Sequence, residues 1–150
     1  MQTKKVMDSY TEQCQIVFSQ HKNGSGRLFG GQLIAWMDVV GAVVARRHSG
    51  YEVTTVSIEK VDFALPAFIN DLIVITGKII YVGNTSMHIK VSAYVEKECV
   101  RQLINSAVFV LVALDKSDKP IRVPRLELVT EEEKKDYQDC QEMKTCKLSK

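Results

Sequence analysis

The stretch Leu28-Phe29-Gly30-Gly31-Gln32-Leu33-Ile34-Ala35-Trp36-Met37-Asp38-Val39-Val40-Gly41-Ala42-Val43-Val44-Ala45-Arg46-Arg47-His48 decides how this chain folds. Between positions 29 and 45 every residue is apolar or glycine except Gln32 and Asp38. That is the pattern of a helix covered on nearly all sides; a surface helix would alternate its polar and apolar residues with the turn. A lone carboxylate inside an apolar element costs several kcal/mol unless something compensates, so Asp38 is the most informative residue in the sequence. Residues three and four apart share a helix face, which puts Asp38 in a row with Gly31, Ile34, Ala35, Gly41, Ala42 and Ala45. The bulky Leu33, Trp36, Met37, Val40 and Val44 point elsewhere. A row of small residues leaves room for another backbone, a second copy of the helix or a slender ligand to approach the acid. On this pattern alone, a structural aspartate that braces a neighbour and a catalytic acid stand level. A membrane span does not fit, because the apolar run is about a turn short of the ~20 residues needed and carries a central acid.

Length and composition set the frame. At 150 residues and 45% hydrophobic content the chain buries a sizeable core, and one domain is the expectation at this size. A net charge of +2, with no basic run interleaved with aromatics, argues against a nucleic-acid partner. The opening nine residues are polar, with Lys4 and Lys5 but no apolar segment behind them, so no signal peptide is read and the cytoplasm is expected. Cys14, Cys99, Cys140 and Cys146 are scattered, with no C-x-x-C pair and no histidine at ligand spacing, so neither a metal site nor a disulfide framework is expected.

Around the helix the pattern is that of strands. Residues 11–19 alternate, with Cys14, Ile16 and Phe18 on one face and Gln13, Gln15 and Val17 on the other. A glycine-rich loop, His21 to Arg27, leads from this strand into the helix. The helix begins at Gly30-Gly31, where the first N–H groups lack intrahelical partners and the dipole favours negative charge. Two positions without side chains there present bare amides to an oxyanion. After the helix, Gly50 suits the stop. Residues 51–64 form a strand whose inward parity shifts from Val56 and Ile58 to Val61 and Phe63, which predicts a bulge near Glu59-Lys60. Residues 72–82 and 87–95 form a hairpin across Gly83-Asn84, with Met87, Ile89, Val91, Ala93 and Val95 inward and His88, Lys90, Ser92, Tyr94 and Glu96 outward. In the last strand, 103–114, the unbroken apolar run from Ala107 to Leu114 predicts cover on both faces or a subunit contact. Thr130-Glu131-Glu132-Glu133 is a capping-box pattern that starts a short, mostly exposed helix, with a frayed polar end from Asp139 on. The sum is α+β, one antiparallel sheet and one long helix.

These residues resemble a known family, the hotdog-fold acyl-CoA thioesterases, in the cytoplasmic branch that hydrolyses a range of fatty acyl-CoA esters. Asn23, the run Leu28-Phe29-Gly30-Gly31-Gln32-Leu33 ending in Trp36-Met37-Asp38, Val61-Asp62-Phe63 with Pro66, and Gly83-Asn84-Thr85-Ser86 carry the resemblance across about residues 8–128. The family often has glycine before the acid that follows its proline; this chain has Asn70-Asp71 there. The resemblance implies a single hotdog domain over residues 1–128, a five- to six-stranded antiparallel sheet wrapped around one central helix, with residues 129–150 as a short helix and polar tail. It implies edge-to-edge homodimers with two active sites at the interface, commonly assembled into hexamers as trimers of dimers. Asp38 matches the catalytic acid, as general base or nucleophile, and Asn23 the asparagine contributed by the partner subunit. The Gly30-Gly31 start, Gly31 above all, is the oxyanion site. Phe29, Gly30, Thr85, Ser86 and Lys90 are candidates to touch the acyl-CoA, with coenzyme A arriving as part of the substrate and no other cofactor. Arg101, Arg122 and Arg125 join Lys90 as candidates for the nucleotide phosphates.

Two rival functions remain on the same fold. A hydratase or dehydratase normally needs a histidine beside the acid, and the face around Asp38 has none. A non-catalytic acyl-CoA sensor would carry a DNA-binding module, and about ten residues before the first strand are too few for a helix-turn-helix. The cysteine and histidine spacing gives the first test. EDTA, and the joint change of all four cysteines to serine, leave thioester cleavage within a few fold; a large loss with chelator overturns the reading.

Overall fold

The structure of the protein is a computed structural model that describes residues 2–148, with side chains as far as residue 144. Strand β1 (Thr3–Lys5) and a single turn, α1 (Val6–Ser9), precede β2 (Thr11–Ile16). A 3-10 turn (Ser19–His21) and a loop lead into helix α2 (Gly30–Ser49). Strands β3 (Glu52–Phe63), β4 (Leu72–Val82), β5 (Ser86–Lys97) and β6 (Val100–Leu114) follow, then β7 (Arg125–Glu127) and helix α3 (Glu131–Leu148). β2 to β6 make one antiparallel sheet in the order β2-β4-β5-β6-β3, and α2 lies across all five strands. The α+β plan read from the sequence is the plan the chain adopts.

The sequence of α2 explains its placement. Its last turn carries Arg46, Arg47 and His48, and Gly50 stops it at φ 79°, donating its amide to Arg46 O at 2.8 Å. Met37, Val40 and Val44 are fully buried against the sheet, each contributing about 1.5–3 kcal/mol of apolar burial. Gly77 on β4 lets the helix come this close. A Cβ there would lie 2.8 Å from Val40 Cγ1 and 2.9 Å from Val44 Cγ2, so any larger residue pushes the helix off the sheet.

Strand register settles which alternating rows face the helix. β3 is bulged near Lys60, whose φ is 53°, as the parity shift predicted. A second shift between Thr55 and Ser57 is not visible in the pattern. Ile58 and Phe63 therefore share the face of Phe109 and Asn105, while Val56 sits in the extra bulge and does not join the inward row expected of it. On β2 the pairing places Gln13 opposite Ile75 and Gln15 opposite Ile73, so the glutamine side turns to the helix and Cys14, Ile16 and Phe18 lie outside, exposed. The run Ala107 to Leu114 is covered on both faces. Phe109, Leu111 and Ala113 are fully buried under α2, and Val110 lies beneath α3. The pattern does not announce β1, α1 or β7. β1 and β7 pair in parallel as a separate two-stranded ribbon, with Val6 buried beside it.

The tail corrects its expectation. Half of the capping box forms, with Thr130 Oγ1 accepting the Glu133 amide at 3.1 Å while Glu133 Oε1 accepts the Val129 amide at 2.9 Å instead of that of Thr130, but α3 is 18 residues long rather than short, and does not fray at Asp139. Docking on the outer face of the sheet extends it. Lys78 on β4 meets Asp136 at 3.0 Å and Glu132 at 3.2 Å, and Tyr137 packs on Tyr81 with ring centroids 4.7 Å apart. His88, outward as expected, is buried by this cover and stands edge-on to Tyr81. Cys14 and Cys99 are free and exposed and Cys140 is half-buried; Cys146 lies outside the described side chains.

The C-terminal end of α2 is tied to the strap before β7 by one bond. His48 is fully buried and its Nε2–H donates to Pro124 O at 2.8 Å, while Nδ1 has no partner. Burial, with the nearby Lys4 and Arg125 charges adding to it, holds the imidazole pKa below its ordinary 6.5 despite the Pro124 bond. The unfolded chain thus binds a proton that the folded chain refuses. Stability is complete above the ordinary histidine range and is lost as pH falls through it. The melting temperature of the wild type is expected to drop between pH 7.5 and 5.5 by more than that of His48→Gln, whose amide still reaches Pro124 and does not titrate. Parallel slopes for the two proteins would refute the assignment.

Candidate active site

Asp38 sits where the sheet leaves α2 open. Gly31, Ala35 and Val39 are exposed along this stripe and Asp38 and Ala42 are half-buried, while Gly41 and Ala45, which share the row in the sequence, turn against the core. The helix is therefore not covered on all sides within one chain. Asp38 Oδ1 accepts a 2.7 Å hydrogen bond from Thr55 Oγ1 on β3, which fixes the carboxylate and leaves Oδ2 for another partner. The alternation that puts Val56 and Ile58 inward turns Thr55 outward, so the sequence carries no signal for it; the register shift between Thr55 and Ser57 is what brings its hydroxyl to the inner face. β3 is an edge strand, paired only with β6. Along its length it exposes Val56, Ile58, Val61 and Phe63. With Val39 and Phe29 on the helix side these are more large apolar side chains than single soluble chains usually leave in water.

The start of α2 and its loop make the second part. Leu33 is the first helical residue whose amide has a backbone acceptor, Phe29 O at 3.2 Å, so the amides of Gly30, Gly31 and Gln32 precede the ladder. No side chain caps them. The two glycines have separate reasons. A Cβ on Gly31 would lie 2.6 Å from the Phe29 ring, and one on Gly30 would lie 3.3 Å from the Phe63 ring. Asn23 shapes the loop. Its Oδ1 accepts from the Ser25 amide at 2.9 Å, the Ser25 hydroxyl at 2.8 Å and the Arg27 amide at 3.2 Å, and its own amide donates to Arg27 O at 2.7 Å. The oxygen is committed, which turns the Nδ2 amide group outward as a donor. Asn23, Gly30 and Phe63 line a cavity of about 320 Å³ with Arg27, Leu28 and Leu65. At Asn70 the backbone takes φ 73°, the left-handed turn that a glycine would supply, and Asp71 accepts the Phe68 amide at 2.9 Å.

One chain does not bring all the candidates together. Eight residues separate Gly30 from Asp38, about 12 Å along the helix axis, so the loop end and the acid occupy different ends of the open stripe. Thr85 and Ser86 lie at the β4–β5 turn, where a Cβ on Gly83 would strike Ser86 Oγ at 2.6 Å. Ser86 and Lys90 face away from α2, into a cavity of about 630 Å³ between the sheet and α3. Arg101 is engaged by Glu12 and Glu96, and Arg125 donates to Gly83 O and Val123 O, which removes both as free phosphate ligands. Among the described residues no group of three His, Cys, Asp or Glu side chains has the arrangement to hold a metal ion.

Known proteins share this arrangement. An uncharacterized acyl-CoA thioester hydrolase of Bacillus subtilis is 32% identical over 134 residues, 88% of this chain and 78% of its own. A solved apo-hexameric acyl-CoA thioesterase superposes with a TM-score of 0.93 at 32% identity, over 99% of this chain and 97% of its own. The acyl-CoA hydrolase of Staphylococcus aureus, solved with butyryl coenzyme A, coenzyme A and coenzyme A disulfide, superposes with a TM-score of 0.88 at 28% identity, over 98% of this chain and 93% of its own. It has also been solved with an asparagine, an aspartate and a threonine each changed to alanine, residue types that stand at the same spacing as Asn23, Asp38 and Thr55. The family model of the thioesterase superfamily matches residues 25–100, from the Asn23 loop through the acid-bearing helix to the end of the β4–β5 hairpin. A helix crossing a five-stranded antiparallel sheet, an acid on its open stripe and these likenesses together place the chain in the thioesterase superfamily, with the hotdog fold.

Proposed function

We propose that this protein is an acyl-CoA thioester hydrolase whose active site is completed by a second copy of the chain. The observation that carries the reading is Asp38: a carboxylate on the one uncovered stripe of an apolar helix, held by Thr55 at 2.7 Å beside an apolar edge strand. Pairing of two β3 edges covers Val56, Ile58 and Phe63 and lays each open stripe against the partner. Because Gly30, where the Asn23 loop joins α2, lies about 12 Å along the helix axis from Asp38 of its own chain, Asn23 and the helix start belong to the other half of a shared site. Asn23 and the helix start of one subunit then face Asp38 and Thr55 of the other.

The chemistry follows from these parts. The free amides at Gly30 and Gly31 meet the thioester oxygen and stabilise the charge that develops on it, and the Asn23 amide orients the carbonyl or the water. Asp38, oriented through Oδ1, uses Oδ2 to take a proton from attacking water or to attack the thioester carbon itself. With water as nucleophile, collapse of the tetrahedral species breaks the C–S bond, the proton taken by Asp38 passes to the thiolate, and coenzyme A and a carboxylic acid leave; with Asp38 as nucleophile, collapse releases coenzyme A and leaves an Asp38–acyl anhydride, which water then hydrolyses to the carboxylic acid. Ser86 and Lys90 lie on the far side of the sheet, with Thr85 in the turn beside them, so they meet the nucleotide portion of a substrate only where a neighbouring dimer brings its site to that face. The hexameric relative supports a trimer of dimers. No helix among the described residues is long and apolar enough to cross a membrane, and free thiols with an acyl-CoA substrate suit the reducing cytoplasm.

Two measurements test the proposal. Asp38→Ala and Asn23→Ala each lose nearly all turnover of a panel of acyl-CoA esters in a free-thiol assay. When the two are unfolded and refolded together, activity returns to roughly a quarter of wild type, since random pairing gives half mixed dimers with one restored site each. A mixture that stays inactive while mass spectrometry shows mixed dimers would place both residues within one chain, contrary to the proposal. Thr55→Val lowers kcat by roughly tenfold to a hundredfold through loss of carboxylate orientation, whereas Thr55→Ser stays within a few fold. Equal losses in the two Thr55 variants would mean that the hydroxyl is not what Asp38 needs.

A further inference from the structure

His21 fastens the start of the Asn23 loop through both its side chain and its backbone. Its Nδ1 accepts the Phe18 amide at 3.0 Å, closing the turn in which its own amide donates to Phe18 O at 3.0 Å. Its carbonyl accepts the Phe29 amide at 2.8 Å, and Phe29 is the residue that precedes the first turn of α2. An Nδ1 that accepts places the ring proton on Nε2. The ring is wedged between Phe18, at 5.7 Å, and Trp36 of α2, edge-on at 4.9 Å. Two residues on, Asn23 has its oxygen fully engaged within the loop, so the direction of its Nδ2 group depends on where the loop as a whole is anchored.

We infer that His21 is a positioning residue for the reaction: through Nδ1 and its carbonyl it locks the Asn23 loop to the start of α2 and so aims the Asn23 amide and the Gly30-Gly31 amides at one point. The inference rests on the proposed role of Asn23. It assigns His21 no contact with the substrate and no proton transfer. A small tilt of the loop misaligns two donors at once, and misplacement of about an ångström costs as much as a hundredfold in rate. The bulk of the ring is not the point. Asparagine carries an acceptor oxygen the same number of bonds from Cβ as Nδ1, and restores the Phe18 bond without an imidazole; glutamine places its oxygen one bond too far.

The test is a set of variants assayed for kcat and KM against one acyl-CoA ester, with melting temperatures measured alongside. His21→Ala is expected to lower kcat by roughly tenfold with KM within a few fold, His21→Asn to recover most of the loss, and His21→Gln to recover little. The double variant His21→Ala/Asn23→Ala is expected to be no slower than Asn23→Ala alone, because the histidine acts only through the loop's donors. Wild-type kcat in His21→Ala, losses that multiply in the double variant, or failure of His21→Asn to rescue a His21→Ala defect would each overturn the inference. If Asn23→Ala itself keeps wild-type kcat, the proposed role of Asn23 falls and this inference with it; if Asn23→Ala is slow while His21→Ala is not, only the inference falls.

Discussion

A carboxylate in the middle of an apolar helix has to be reachable and yet held, and most of this structure answers that constraint. Reach comes from the small residues around Asp38 and from the sheet, which buries Met37, Val40 and Val44 on one side of α2 and leaves Gly31, Ala35 and Val39 uncovered on the other. Hold comes from Thr55, whose hydroxyl replaces part of the solvation that the carboxylate loses. The same edge that carries Thr55 exposes Val56, Ile58 and Phe63, so the feature that orients the acid also makes a lone chain incomplete. Apolar burial favours the event that the proposed shared site requires, the pairing of two copies.

The rest of the chain keeps α2 in place at both ends. At its beginning, the Asn23 loop and the rings of Phe29 and Phe63 pack where two glycines leave room. In the middle, Gly77 admits Val40 and Val44 to a distance no side chain would allow. At its end, buried His48 bonds to Pro124 and draws in the strap before the β1–β7 ribbon. A cation is normally welcome at a helix C-terminus, yet burial outweighs that preference here and keeps His48 neutral. On the outer face, α3 covers what the unbroken apolar run of β6 exposes, using the Lys78 ion pairs and the Tyr81–Tyr137 contact rather than an apolar stripe of its own.

Much of this is written locally in the sequence. The apolar run with one acid determined a long buried helix; Gly50 determined its stop; the alternation of residues 87–95 determined a strand, and the parity shift at Glu59-Lys60 determined a bulge. Each of these depends on periodicity or on the φ preference of one residue, and neighbours along the chain suffice to set them. The candidate acid and the glycine pair were legible for the same reason, whereas Asn23 was named by the family resemblance alone.

What only the tertiary structure decided depends on partners far apart in sequence. Periodicity divides a strand into two rows without saying which one is inside, and it is pairing with β4 that turned the glutamines of β2 toward the helix and left Cys14, Ile16 and Phe18 outside. Thr55 became a partner of Asp38 because the register of β3 on β6 carries it to the open stripe, 17 residues along the chain. α3 reads as a short exposed helix until Lys78 and Tyr81 supply the surface that extends it.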